Sequence, residues 1–139
     1  MEIHVDTREL IDQLKVMMRR GHNLTDVNMQ LAQILHVMVE DEFEANGPGG
    51  GKWKAFAEST LRRRRRSATP MLLQDTGDMV NSLQPGAGPD FAELFTNKEY
   101  ARFHLEGDGV PKRDFFDIDV DKALDTFGQI LAEEIGRAR

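Results

Sequence analysis

A chain of 139 residues, 40% hydrophobic and 30% charged, is long enough to bury roughly two-thirds of its unfolded surface and reads as one domain over residues 1–139. Zero cysteines exclude disulfides, thiolate metal sites and cysteine nucleophiles. No run approaches the roughly 20 apolar residues of a membrane span, and the opening MEIHVDTREL lacks the features of a signal peptide, so the expectation is a soluble cytoplasmic protein without membrane contact. The net charge of −6 argues against a general nucleic-acid binder, but the charge is uneven. Residues 53–82 hold 6 basic and 3 acidic side chains, against 5 and 9 in residues 1–52 and 7 and 12 in residues 83–139.

Asp6 is placed to cap a helix starting at Thr7, with Glu9 reaching back as in a capping box. Leu10, Ile11, Leu14 and Met17 or Met18 then form one apolar stripe, and Gly21 after Arg19 and Arg20 is a natural stop. A second helix, capped by Thr25 and running to Glu44, carries Val27, Leu31, Ile34, Leu35, Met38, Val39 and Phe43. His36 lies off that stripe, and a plain amphipathic helix is the expectation.

Residues 46–52, NGPGGGK, predict a flexible loop. They are no phosphate-binding loop, because a helix precedes them, Trp53 follows Lys52 and no hydroxyl is placed for magnesium. Trp53 and Phe56 return to the core, and Ser59 or Thr60 caps a short helix through Leu61. Arg62, Arg63, Arg64, Arg65 and Arg66 follow. Successive helical residues point about 100° apart, so this turn presents charge all round and has no apolar face to bury. It is either a solvated projection or an electrostatic contact with an acidic protein face or phosphates.

Asp75 or Thr76 caps a short helix that turns Met79, Val80 and Leu83 inward. Residues 82–87 and 91–96 flank a Gly-Pro-Asp turn and predict two antiparallel strands, the first confined to an edge by Pro85. A helix over 97–105 carries Tyr100, Phe103 and His104; Gly107 and Gly109 end it, and Val110-Pro111 forces an extended path into Arg113, Phe115 and Phe116. Asp119 or Asp117 caps a last helix with Val120, Leu124, Phe127, Ile130, Leu131 and Ile135.

Little in this chain suggests chemistry. The four histidines form no H-x-H or H-x-x-x-H pair, and no serine sits in a G-x-S-x-G elbow. Asp117, Asp119 and Asp121 alternate like a calcium loop but lack its glycine and distal glutamate. His104 with Glu106 and Asp108 is the one grouping that a hydrolase or metal reading can use, and glycines interrupt it. The expectation is no catalytic residue, no cofactor and no metal, with His104 packed and hydrogen-bonded.

Three blocks in order are more informative. The first is Trp53, then Ser59-Thr60, the arginines, and Leu73-x-x-Thr76-Gly77-x-Met79-x-x-Ser82. The second is Tyr100-Ala101-x-x-His104-x-x-Gly107, and the third Val110-Pro111-x-Arg113-x-Phe115. This order resembles the phage virion morphogenesis proteins, the Mu-like and related tail-completion family; methionine stands at position 79 where that family usually has leucine. The resemblance implies an α+β fold, N-terminal helices and a C-terminal helix packed on a small antiparallel sheet. It also implies a non-enzymatic structural role in completing the tail or joining it to the head. Members are expected to form rings that meet tail-tube, terminator or connector proteins, in the host cytoplasm during assembly and in the tail or neck of the virion. Trp53, Thr76, Gly77, Tyr100, His104, Gly107, Pro111 and Phe115 are then fold signatures, and Arg62–Arg66 with Arg113 the partner-binding candidates.

The alternative is a nucleic-acid-contacting module that uses the five arginines on phosphates, with binding that falls steeply with salt. In a ring each copy joins one face to a different face of its neighbour, so the basic island can meet an acidic surface of the next copy. Reversing Arg63 and Arg65 to glutamate is expected to weaken assembly more at low salt than at high salt. Light scattering across a salt series checks this, and unchanged assembly would remove the electrostatic contact.

Overall fold

The computed structural model describes residues 2–46, 78–99, 101–107 and 113–137. Of the flexible loop expected at 46–52 only Asn46 is among them, and it ends a helix instead; residues 47–52, Trp53, the helix expected at 59–61, the five arginines, Thr76, Gly77, Tyr100 and Pro111 lie outside these residues. The fold is α+β. The described residues fall into two compact units, one drawn from 2–37, 84–95 and 119–137, the other from 38–46, 78–83, 96–99, 101–107 and 113–118.

In the first unit three strands form one antiparallel sheet: β1 (Glu2–Asp6), β2 (Gln84–Gly88) and β3 (Phe91–Phe95). The spatial order is β1-β3-β2, so β3 is central and β2, with Pro85, is an edge as expected. β2 and β3 form a hairpin closed at Gly88 opposite Phe91, and β1 runs against the other side of β3 with Ile3 opposite Leu94 and Val5 opposite Ala92. Those four apolar side chains are buried. Their neighbours Glu2, His4, Asp6, Phe91, Glu93 and Phe95 take the opposite face, because successive strand residues alternate sides.

β1 corrects the expectation of a helix starting at Thr7. The chain is extended through Asp6, makes a 3-10 turn over Arg8–Leu10, and only then enters α1 (Ile11–Arg19). Asp6 still acts as a cap: its carboxylate accepts the Arg8 amide at 2.9 Å and pairs with the Arg8 guanidinium. These bonds hold its pKa down at about 2. Thr7 extends the sheet by one bond, its amide donating to the Asp90 carbonyl at 3.0 Å.

Among the described side chains of the α1 stripe Leu14 and Met17 are buried, while Leu10 is half-buried and Met18 is 53% exposed. The helix ends in a Schellman motif: the His22 amide donates to the Met17 carbonyl and the Gly21 amide to that of Met18. Gly21 has φ +85, which only a residue without Cβ adopts freely. α2 (Leu24–Asn46) follows. Its cap is Asn23, whose Oδ1 accepts the Thr25 amide at 2.9 Å, and not Thr25, which lies inside the first turn. Residues 24–37 of α2 belong to this unit, with Val27, Leu31, Ala32 and Leu35 buried.

The last helix of this unit is α5 (Val120–Arg137). Asp119 caps it, its Oδ1 accepting the Lys122 amide at 3.1 Å, the bond an N-cap carboxylate makes to the third helical residue. Ala123, Phe127 and Leu131 form its buried line. Ile130, placed on the stripe by spacing alone, is 37% exposed, because the buried line is centred on Phe127 and Ile130 sits beyond Ala123 at its margin. Gln13 of α1 donates to the Gly128 carbonyl at 3.3 Å and Arg20 to that of Ile135 at 3.0 Å, fixing α1 along α5.

The second unit holds residues 38–46 of α2, α3 (Asp78–Asn81) and α4 (Ala101–Glu106). Val39, Phe43, Met79, Leu83, Ala101, Leu105 and Phe115 are buried in it. Asn46 closes α2 by donating from Nδ2 to the Glu42 carbonyl at 2.8 Å.

Like Thr7, Asn28 is one of the polar residues that the sequence pattern does not mark as core. It is fully buried, and its Nδ2 donates to the Gly88 carbonyl at 2.9 Å, joining α2 to the end of β2. Asn28→Ala leaves that carbonyl without its donor and is expected to cost about 1–3 kcal/mol. Urea denaturation checks this as a lowered midpoint at unchanged m-value; an unchanged midpoint would show that the bond contributes nothing.

Candidate functional site

Two of the three sequence blocks meet in the second unit. α4 presents Ala101 and Leu105 inward, and Gly107 ends it at φ +74, its amide donating to the Phe103 carbonyl at 2.9 Å. That single bond is the αL form of helix termination, which requires the glycine. The Arg113 amide then donates to the His104 carbonyl at 2.8 Å, tying the returning segment to the last turn of α4. Phe115 follows, fully buried, with its ring 5.2 Å from Phe43 and 4.8 Å from Phe116. Asp114 shapes the bend by accepting the Phe116 amide at 3.0 Å. His104, Gly107, Arg113 and Phe115 are therefore parts of one packing knot.

The His104 ring is half-buried, and its Nδ1 is shielded from solvent without a hydrogen-bond partner among the described residues. The hydrogen bond expected of His104 is thus made by its backbone, not its ring. Burial, and then the positive charge of Arg113, lower the His104 pKa below its ordinary value. Arg113 is only 6% exposed, so its guanidinium is largely withheld from solvent in this chain alone; burial lowers its pKa also.

Ser82, the last residue of the first block, meets Thr96 oxygen to oxygen at 2.6 Å. Ser82 donates its own proton to the Met79 carbonyl, so the Thr96 hydroxyl is the donor between the two, and Thr96 in turn accepts the Lys98 amide. Beside this hydroxyl chain Thr96, Asn97, Lys98, Glu99, Arg102 and Phe103 line an open groove of about 440 Å³. Phe103 is 38% exposed, with the Arg102 guanidinium 5.1 Å from its ring centre. An exposed aromatic with a cation over its face suits contact with another macromolecule better than turnover of a small substrate. In the first unit Thr7, Leu14, Met18, Leu24 and Pro89 help to line a smaller, apolar depression of about 210 Å³.

The outer face of the sheet carries the one grouping of described residues suited to a cation. His4 stands opposite Glu93 in the β1–β3 register, with Nδ1 3.7 Å from a Glu93 carboxylate oxygen. Glu2, two residues before His4, shares that face, and one donor atom from each of the three lies within 4.8 Å of the others. The His4 ring stacks on Phe91, centroids 4.9 Å apart and planes 22° from parallel. No spacing rule finds this set, because a sheet whose first strand is hidden in the sequence pattern brings it together.

What fold and site define is a small α+β protein in which His104, Gly107 and Phe115, the described signature residues, share one packing knot, with a polar-aromatic groove at the surface. The chain belongs to the phage virion morphogenesis family, whose profile matches residues 5–132. That match runs through both units and nearly the whole sequence. The family is a structural one serving virion assembly and is not known for catalysis. No curated protein and no solved structure gives a match. Among the described residues no helix is long and apolar enough to cross a membrane.

A histidine whose folded pKa lies below its unfolded value contributes stability in full above the unfolded pKa, near 6.5. That contribution is lost as pH falls towards the folded value, because the unfolded chain takes up the proton first. Denaturation midpoints are therefore expected to fall between about pH 7 and pH 5, with a shallower slope in His104→Gln. Equal slopes in the two proteins would mean that the environment of His104 does not disfavour its charged form.

Proposed function

We propose that this protein completes the tail or joins it to the head, as the Mu-like tail-completion members do, and that it acts by protein–protein assembly. The observation that carries the reading is the family match over residues 5–132. The packing supports it. His104, the only histidine in the signature blocks, serves the knot with Arg113 and Phe115, and what faces outward is the groove holding Lys98, Arg102 and Phe103.

In this reading the chain works as a single virion morphogenesis domain and as a homo-oligomeric ring, without cofactor or catalysis. It is assembled in the host cytoplasm and sits at the tail end or neck against tail-tube, terminator or connector proteins. A heterologous ring gives the uneven charge a use, with the arginines 62–66 of one copy against an acidic surface of the next. Arg113 contributes through the fold, by fixing the end of α4.

Deleting the gene from a phage or prophage that carries it, inducing, and imaging the lysate by electron microscopy tests the function. The expected result is full heads lying apart from tails, or tails with abnormal ends. Intact infectious particles would overturn the reading and bring forward DNA binding by the five arginines, measured as a salt-dependent affinity.

A further inference from the structure

We propose that Glu2, His4 and Glu93 form a binding site for a divalent transition-metal cation, with Zn²⁺ the best-fitting first-row ion, on the outer face of the sheet. Three observations carry this. The first is convergence: β1 supplies Glu2 and His4 from one face, β3 supplies Glu93 directly opposite His4, and the three donor atoms lie within 4.8 Å of one another. Around an ion with bonds of about 2.0–2.2 Å, tetrahedral ligands lie about 3.4 Å apart. The His4–Glu93 pair is already at 3.7 Å, and the remaining approach is chiefly a rotation of the exposed Glu2 side chain, Glu93 being half-buried.

The second observation is that the imidazole is positioned. His4 is stacked on Phe91, and the Phe91 ring lies over the bare backbone of Gly88, where a Cβ would sit only 2.2 Å from it. The edge strand thus leaves room for the ring that orients the ligand. The third is the chemistry of the set. One imidazole nitrogen with two carboxylates is a borderline donor set that suits Zn²⁺ and its neighbours, whereas all-oxygen sets suit Mg²⁺ and Ca²⁺. Three protein ligands leave a fourth position on the solvent side for water or for a donor from another molecule.

The neighbouring Asp6 carboxylate is engaged by Arg8 and is not needed in the site. His22, 4.0 Å from a Glu134 oxygen, offers two donors rather than three and serves as the control. Because the ligands come from two strands, the folded chain binds the ion better than the unfolded one, and binding raises the unfolding temperature.

Calorimetric titration of the full chain with ZnCl₂, followed by thermal unfolding with Zn²⁺ and with Mg²⁺, tests the site. One saturable Zn²⁺ per chain is expected, with a raised Tm that Mg²⁺ does not reproduce. His4→Ala and the isosteric Glu93→Gln should each weaken binding about 10-fold or more, at least the loss that outer-shell changes around metals produce. His22→Ala should leave it unchanged, and circular dichroism should show all three variants folded. Absence of saturable Zn²⁺ binding, or binding that survives His4→Ala and Glu93→Gln, would overturn the proposal. Sensitivity to His22→Ala alone would move the ion to the His22–Glu134 pair and likewise reject it.

Discussion

The constraint on which the first unit depends is the double pairing of β3. A five-residue strand is a weak element alone, and β3 becomes a scaffold because it is hydrogen-bonded on both sides, to β1 and to β2. That pairing decides which side chains meet. It places Ala92 and Leu94 against Val5 and Ile3 on the buried face, and Glu93 against His4 on the other. Asn28 reinforces the arrangement by holding the Gly88 carbonyl at the point where the hairpin turns.

Glycines divide two tasks in this molecule. Gly21 and Gly107 have positive φ and end helices, so their requirement is conformational. Gly86 and Gly88 have no such φ; they are needed for space, because Glu93 and Phe95 crowd the first and the Phe91 ring covers the second. The edge strand accordingly gives up side chains on its outer face to those of the central strand. Of these four, only Gly107 falls within the signature blocks.

The longer helices were legible in the sequence because α1, α2 and α5 each carry an apolar stripe, and α1 and α4 end at a glycine. The stripes of α2 and α5, the stop at Gly21, the Asp119 cap and the β2–β3 hairpin all follow from residue spacing. β1 was not legible. Five residues give only two apolar positions, and Asp6 doubles as a plausible helix cap, so the local signal for a helix outweighed a strand whose partner lies far along the chain. Stripe geometry also cannot rank residues at its margin, which is why Ile130 reads as core and Ala123 does not. The Ser82–Thr96 hydroxyl chain and the Glu2–His4–Glu93 set depend on pairings between distant segments, and no local pattern contains them. The family resemblance, by contrast, was legible from three short blocks, because the fold requires a glycine at a left-handed turn and an aromatic residue in a filled core at fixed separations.

The parity of β1 has an evolutionary consequence. Ile3 and Val5 point one way and Glu2 and His4 the other, so removing one residue within the strand would exchange the two sets and turn charge into the core. Removing two would preserve the faces. Length variation in this segment among descendants of the chain should therefore be inherited in even steps, and odd steps should persist only where a bulge or a compensating change restores the alternation.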